Sequence, residues 1–139
     1  MAIIDMQMIR YINLLDKVTR VKTRKCFIYN NTIYFAVQRR EMAQAIGPAA
    51  ENIRRMQEHV GDRRVRIIED ADGIADAERF VQDIVSPVQM KSLEVKDNSI
   101  IITAGNIQNK ASLIGRNRRR FEELKKVLHD NFGTELKIL

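Results

Sequence analysis

The dipeptide Ile-Gly occurs twice in this chain, at Ile46-Gly47 and Ile114-Gly115, and the two copies stand 68 residues apart. Each copy ends one amphipathic helical pattern and precedes another, so each predicts two helices joined by a short turn. Glycine at such a point lets another chain approach the backbone closely. In a chain of 139 residues, two such turns at one offset predict a duplicated unit.

The residues around the two turns repeat at the same offset. Adding 68 to a residue number maps apolar positions onto apolar positions before and after each turn. Gly61 and Gly133 then match at an offset of 72, and four inserted residues add about one helical turn and keep the inner face of the helix. The mapped pairs are Ile33 with Ile101, Tyr34 with Ile102, Ile53 with Phe121, Met56 with Leu124, and Val60 with Leu128.

Both halves predict the same order of elements, which is helix, strand, strand, helix, turn, helix, strand. Asn30-Asn31 and Asp97-Asn98 separate the two strands of each half, as expected for tight hairpins. In the first half, we predict helices over 5–19, 41–46 and 49–59 and strands over 26–29, 32–37 and 64–69. In the second half, we predict helices over 75–85, 106–114 and 117–130 and strands over 93–95, 99–103 and 135–139.

The charge balance favours a polyanionic partner. The formal net charge is +6, from 24 Lys and Arg against 18 Asp and Glu, which fits nucleic acid best. The cations are concentrated around the second Ile-Gly turn, with a smaller group after the first. These cations are Arg54 and Arg55 in the first half, and Lys110, Arg116, Arg118, Arg119 and Arg120 in the second.

The same sequence gives no sign of catalysis or of a cofactor. It holds one cysteine and two histidines, without further ligands at metal-binding spacing, so we expect no enzyme, no metal and no cofactor. No apolar run approaches the roughly 18 residues of a membrane span, and the first residues do not resemble a secretory signal. We therefore expect a cytoplasmic protein without a membrane partner.

Three segments resemble the KH domain in the tandem arrangement of the archaeal NusA family of transcription factors. They are Ala43-Gln44-Ala45-Ile46-Gly47-Pro48-Ala49-Ala50-Glu51-Asn52-Ile53, then Arg64-Val65-Arg66-Ile67-Ile68-Glu69, and Phe80-Val81-Gln82-Asp83-Ile84-Val85-Ser86-Pro87. The resemblance implies an α+β fold of two tandem type II KH domains, each α-β-β-α-α-β with a three-stranded sheet packed against helices. It places the first domain, with the N-terminal helix, at 1–72 and the second at 73–139.

The resemblance also implies single-stranded RNA as the partner. In KH domains a Gly-x-x-Gly turn clamps the backbone of about four nucleotides, and adjacent apolar residues receive the bases. The apolar residues at the equivalent positions are Ala45, Ile46 and Ile53 in the first half, and Leu113, Ile114 and Phe121 in the second. The second glycine of the motif is replaced in both halves, by Ala50 and by Arg118.

The expected RNA-binding residues extend from the apolar positions through the turns to the cations that follow. They are Ile46, Gly47, Pro48, Ala49, Ala50, Ile53, Arg54, Arg55, Lys110, Ile114, Gly115, Arg116, Asn117, Arg118, Arg119 and Arg120.

The function implied by the resemblance is a role in transcription termination, antitermination or elongation. Two other interpretations remain open from the residues. A helix-turn-helix would place its second helix in the major groove of DNA, although the strands predicted around each helix pair disfavour it. A protein-docking module with weakened RNA binding would contact RNA polymerase, and the replaced glycines are compatible with that alternative.

Overall fold

The structure, a computed structural model, describes residues 6–139 and divides them into two compact units, 6–70 and 71–139. These residues form six α-helices and two three-stranded sheets, which confirms the α+β class. The predicted start of the first helix at Asp5 lies outside the described residues. The two units share one element order, which is helix, strand, strand, helix, helix, strand.

The first unit contains three helices and one sheet. Residues Asn30 and Asn31 both adopt positive φ, of 50° and 56°, and close the predicted hairpin. The elements are α1 (Met6–Thr19), β1 (Cys26–Tyr29), β2 (Thr32–Val37), α2 (Met42–Ile46), α3 (Glu51–Gln57) and β3 (Arg64–Glu69).

The second unit repeats the order with a longer last helix. The side chain of Asn106 caps the start of its second helix by accepting a hydrogen bond from Asn109 N–H. The elements are α4 (Ala77–Val85), β4 (Ser92–Lys96), β5 (Ser99–Thr103), α5 (Ile107–Ile114), α6 (Arg119–Phe132) and β6 (Glu135–Ile138).

Each sheet has its middle strand paired antiparallel to the preceding strand and parallel to the last strand. The pairing corrects the predicted repeat register in the strands. Ile33 lies opposite Val65 on the buried face, and the equivalent pair is Ile100 with Leu136. The true offset in β2 and β5 is therefore 67, and Ile33 does not correspond to Ile101.

The error of one residue matters because strand side chains alternate between faces. Ile100 and Ile102 are fully buried, whereas Ile101 between them is only half-buried. The offset becomes 68 again at the two glycines, so the second unit has one more residue between its middle strand and its turn. At the last strand the offset is 71, because α6 is seven residues longer than α3, while the connection from the helix to the strand is four residues shorter.

The helices of the first unit are tied together next to the Ile-Gly turn. Gln44 of α2 donates its side-chain N–H to the carbonyl oxygen of Thr19 at the end of α1, at 3.0 Å. Leu15 of α1 and Met56 of α3 are fully buried in the same core cluster, which also contains Ile33 of the sheet. The turn between α2 and α3 thus follows helices that are hydrogen-bonded and packed on one core.

Residues 6–139 contain no helix with the length and apolar character to span a bilayer. The same residues bring together no group of three or more His, Cys, Asp and Glu side chains that could hold a metal ion.

Candidate nucleic-acid interface

The two Ile-Gly turns have the same backbone conformation. Each starts with a glycine at φ 78° and continues, after one residue, through two consecutive residues in the left-handed region. The φ/ψ pairs of these two residues are 53°/33° and 59°/29° at Ala49 and Ala50, and 56°/28° and 60°/21° at Asn117 and Arg118.

The shared geometry corrects the predicted starts of the two following helices. We predicted helices from 49 and from 117, but α3 begins at Glu51 and α6 at Arg119. The left-handed residues cannot belong to a right-handed helix, so they form a separate turn before it. The turn therefore projects as a distinct four-residue loop in each unit.

Backbone hydrogen bonds close both loops in the same way. Gly47 N–H donates to Ala43 O at 2.9 Å, and Ala50 N–H donates to Gly47 O at 3.1 Å. The second loop has the equivalent bonds from Gly115 and Arg118, at 2.9 and 3.2 Å. Because Pro48 has no N–H at the position of Arg116, the second loop has one more backbone donor for a phosphate.

The backbone of each glycine packs closely against the residue five positions later. A Cβ on Gly47 would stand 2.9 Å from the side chain of Asn52, and one on Gly115 would stand 2.8 Å from that of Arg120. Both distances are shorter than the van der Waals contact distance between non-bonded carbon atoms. The first glycine of each turn is therefore required by the fold itself, whether or not a phosphate binds there.

The residues packed on the glycines also join the two helices. Asn52 donates its side-chain N–H to Gln44 O at 3.0 Å, and Arg120 donates its guanidinium N–H to Ser112 O at 3.1 Å. Both donors and both acceptors are related by the offset of 68. Arg120, predicted as an RNA contact, is thus half-buried and bonded to α5.

This arrangement separates the roles of two neighbouring arginines. Replacing Arg120 by Ala is expected to lower the free energy of unfolding by about 1 kcal/mol, because Ser112 O loses a charged donor. Replacing the exposed Arg119 by Ala is expected to change stability by less than about 0.5 kcal/mol. Urea denaturation measures both values, and equal losses would contradict the bridging role of Arg120.

Two other predicted arginines contact the loops. The guanidinium of Arg118 lies over the ring of Phe121, with 4.8 Å from Cζ to the ring centroid. The guanidinium of Arg54 donates a hydrogen bond to the carbonyl oxygen of Ala49. The cation at the second loop therefore covers an apolar ring, whereas the cation at the first loop turns back onto the loop backbone.

The burial of the apolar residues corrects the predicted base-contacting surface. Ala45 and Leu113 are fully buried in the cores, so they cannot receive a base as expected from the sequence. The remaining apolar residues beside the loops are half-buried and keep part of their surface accessible. These residues are Ile46 and Ile53 in the first unit, and Ile114 and Phe121 in the second.

The other predicted residues differ in exposure and surroundings. Gly47, Ala50 and Gly115 are half-buried within the loops. Arg55 lies on the far part of α3, where it lines a groove with α1. The exposed members of the set are Pro48, Ala49, Arg54, Arg55, Lys110, Arg116, Asn117, Arg118 and Arg119.

Two arginines near β3 are held by tyrosines of the same unit. Arg63 donates to the Tyr11 hydroxyl at 3.2 Å, and Arg66 donates to the Tyr34 hydroxyl at 3.4 Å. Burial raises the pKa of the Tyr34 phenol, and the charge of Arg66 opposes that rise. Both arginines are therefore part of the framework of the first unit.

The left-handed alanines of the first loop predict a stabilising substitution. Replacing Ala50 by Gly is expected to raise the free energy of unfolding by about 0.5–1 kcal/mol, because glycine adopts φ 59° without strain. Replacing Ala43, an exposed residue of the helix α2, by Gly is expected to lower it by about 1 kcal/mol. Thermal unfolding distinguishes the two, and a loss of stability at Ala50 would contradict the loop geometry.

Comparison with known proteins identifies relatives over nearly the whole chain. No family model matches the sequence. The chain is 25% identical over 129 residues to the "Probable transcription termination protein NusA" of Halococcus morrhuae, covering 91% of this chain and 90% of that protein. It also superposes on the crystal structure of APE1850 with a TM-score of 0.69 and 25% identity, covering 98% of this chain and all of the other.

These similarities extend beyond the two turns. Both relatives align with at least nine tenths of the chain, so the match includes both units and not a single shared motif. The resemblance predicted from the Ile-Gly turns is thereby confirmed. The chain is therefore similar to an archaeal NusA protein over nearly its whole length.

Proposed function

We propose that this chain binds single-stranded RNA through two tandem type II KH domains, at 1–72 and 73–139, and acts in transcription termination, antitermination or elongation. The relative from Halococcus morrhuae carries the name of a transcription termination protein, which supports the transcriptional role. The element order of each unit supports the domain type. RNA polymerase is the protein partner that this role implies.

The observation that carries the proposal is the repeated conformation of the turns. Both loops place a glycine at φ 78° and two left-handed residues before a helix, although only the glycine is common to their sequences. In KH domains a glycine-led turn between two helices is the element that clamps the sugar-phosphate backbone of a single strand. The helix that follows adds the partial positive charge of its N-terminus.

The two loops contribute unequally to this mechanism. In the second loop Arg116 and Arg118 are exposed beside the turn, and Arg119 follows at the start of α6. The guanidinium groups can pair with phosphates, and the guanidinium of Arg118, which lies over the ring of Phe121, can stack on a base. In the first loop Pro48, Ala49 and Ala50 carry no charge, so the loop can offer a phosphate only close backbone contact and its remaining backbone N–H groups. The second loop therefore supplies most of the electrostatic attraction.

The proposed activity requires no chemical step. Binding of a flexible strand by phosphate contacts and base stacking accounts for every residue assigned to the loops. We propose that the protein acts on transcription by holding nascent RNA and not by catalysis.

The test is a comparison of nucleic acids at one salt concentration. Fluorescence anisotropy with labelled 12-nucleotide strands is expected to show binding to single-stranded RNA at least about tenfold tighter than to duplex DNA of equal length. The reason is that the loops accept the backbone of an unpaired strand, which duplex DNA does not offer. Tighter binding to duplex DNA would favour the helix-turn-helix interpretation, and absence of all binding would contradict the proposal.

A further inference from the structure

A groove of about 710 Å³ lies within the first unit, between α1 on one side and the end of α3 with the three residues that follow it on the other. Its floor is aliphatic and is formed by Leu14, Val18 and Val60, which are all half-buried. The groove is not part of the Ile-Gly loop, because its α3 side begins at Arg55, five residues after the loop ends. Of the residues expected to bind RNA, only Arg55 lines this groove.

The rims of the groove carry excess positive charge. Arg10 and Lys17 of α1 stand on one side and Arg55 of α3 on the other, and all three are exposed. The one acid that lines the groove is Glu58. No salt bridge within residues 6–139 engages the three cations. An anionic ligand would therefore meet charges that are not already neutralised.

The spacing of residues along α1 indicates the shape of that ligand. Met6, Arg10, Leu14 and Lys17 follow one another at intervals of four, four and three residues, so apolar and cationic side chains alternate along one helical face. Met6 is 71% exposed and extends the apolar surface beyond the groove. The two cations are seven residues apart, which is about 10.5 Å along the axis. A second α-helix with acids at the same spacing and apolar residues between them would match this face.

We propose that the groove is a docking site for an acidic amphipathic α-helix of a protein partner. The partner's apolar residues pack on Leu14, Val18 and Val60, and its acids pair with the cations on both rims. A helix seated between two helices is a recurring mode of peptide recognition. The inference goes beyond RNA binding, because it assigns a protein ligand to a separate surface.

A nucleic acid fits the same groove less well. Binding of single strands without sequence preference commonly uses aromatic side chains on which bases stack. Tyr11 is the only Phe, Tyr or Trp among the lining residues, and it is 9% exposed. Its hydroxyl also accepts hydrogen bonds from Gln7 and Arg63. The aliphatic floor suits leucine-like side chains better than bases.

The duplication does not provide a second copy of the site. In the second unit the helix before the sheet is α4, which has nine residues, five of them buried. Its arginine, Arg79, is already paired with Asp83 at 3.1 Å. The docking face therefore distinguishes the first unit from the second, whereas the loops are common to both.

The experiment uses the whole chain and a synthetic 18-residue peptide that forms an amphipathic helix. The peptide carries Glu at seven-residue intervals with Leu every three or four residues between them, and a scrambled peptide of the same composition is the control. We expect fluorescence anisotropy to show at least about tenfold weaker binding of the scrambled peptide, because scrambling separates the acids from the apolar face. Absence of binding, or equal binding of both peptides, overturns the proposal.

Charge reversal locates the site. Arg10→Glu with Lys17→Glu is expected to weaken peptide binding by at least about tenfold, since it replaces attraction by repulsion on one rim. Lys22→Glu with Arg24→Glu changes the net charge equally at exposed positions outside the groove. This control is expected to weaken peptide binding by less than about threefold. Arg55→Glu on the opposite rim provides a second variant should the double variant not fold.

Two results would overturn the assignment even if the peptide binds. Equal losses for the two double variants would show general charge attraction and no defined groove. A larger effect of Arg10→Glu with Lys17→Glu on a 12-nucleotide RNA than on the peptide would assign the groove to RNA. Failure of RNA binding with intact, groove-dependent peptide binding would instead contradict only the RNA-binding proposal.

Discussion

Replacing Gly115 by Ala is expected to lower the free energy of unfolding by about 2–4 kcal/mol, from backbone strain plus overpacking. Gly115 has φ 78° and ψ 171°, a combination that is almost confined to glycine. The new Cβ would also stand 2.8 Å from Arg120, whose backbone N lies only 3.1 Å away. Neither the side chain nor the start of α6 can move without loosening the turn. Urea denaturation monitored by circular dichroism measures the loss.

A matched glycine in the same unit isolates the effect of packing. Gly133 ends α6 with φ 66°, and a Cβ there would meet nothing within 4 Å. Gly133→Ala is therefore expected to lower the free energy of unfolding by only about 1 kcal/mol, from the strain of alanine in the left-handed conformation. Gly47→Ala and Gly61→Ala form the equivalent pair in the first unit, with a Cβ 2.9 Å from Asn52 in the first case and open space in the second. Equal losses within either pair would contradict the close packing of the turns.

Replacing Arg116 and Arg118 together by Ala is expected to weaken binding of single-stranded RNA by about 10- to 100-fold. Both side chains are exposed beside the second loop, and Arg118 also covers the ring of Phe121. The change therefore removes two phosphate partners and one stacking surface. Fluorescence anisotropy with a 12-nucleotide RNA measures the ratio of dissociation constants.

The first loop offers a control with the same change in net charge. Pro48→Asp with Ala49→Asp also lowers the net charge by two, and aspartate tolerates the left-handed conformation at position 49. We expect a smaller loss than at the second loop, because the two aspartates repel phosphates but remove no arginine, and Arg54 is bonded to the loop backbone. Equal losses at the two loops would contradict the unequal roles assigned to them.

Much of the fold was predictable because its determinants are local. Alternating apolar residues, the Asn30-Asn31 turn and the glycine after each helix locate the strands and helices to within a few residues. The family resemblance rests on the same local signals. The left-handed pairs at Ala49-Ala50 and Asn117-Arg118 were missed, because alanine and arginine ordinarily favour helix and hide the turn.

Other features depend on pairing between distant segments and leave little trace in one sequence. The middle strand in each sheet is apolar at consecutive positions, so the side chains alone did not show which of Ile100 and Ile101 is buried. Pairing of Ile100 with Leu136 decides it. Likewise, the sequence does not distinguish Arg120 from the neighbouring Arg119, and only the hydrogen bond from Arg120 to Ser112 O does so. The one sequence signal for this structural role is that Arg120 lies 68 residues after Asn52, which makes the equivalent bond in the first unit.

The salt dependence of RNA binding tests the central claim most directly. If the two loops contact four to six phosphates, a plot of log Kobs against log salt concentration should have a slope of about −3 to −4 for a single strand. The variant with Arg116→Ala and Arg118→Ala should give a slope shallower by about 1.4, at roughly 0.7 for each lost contact. A slope near zero for the unmodified chain, or an unchanged slope in this variant, would contradict RNA binding centred on the second Ile-Gly turn.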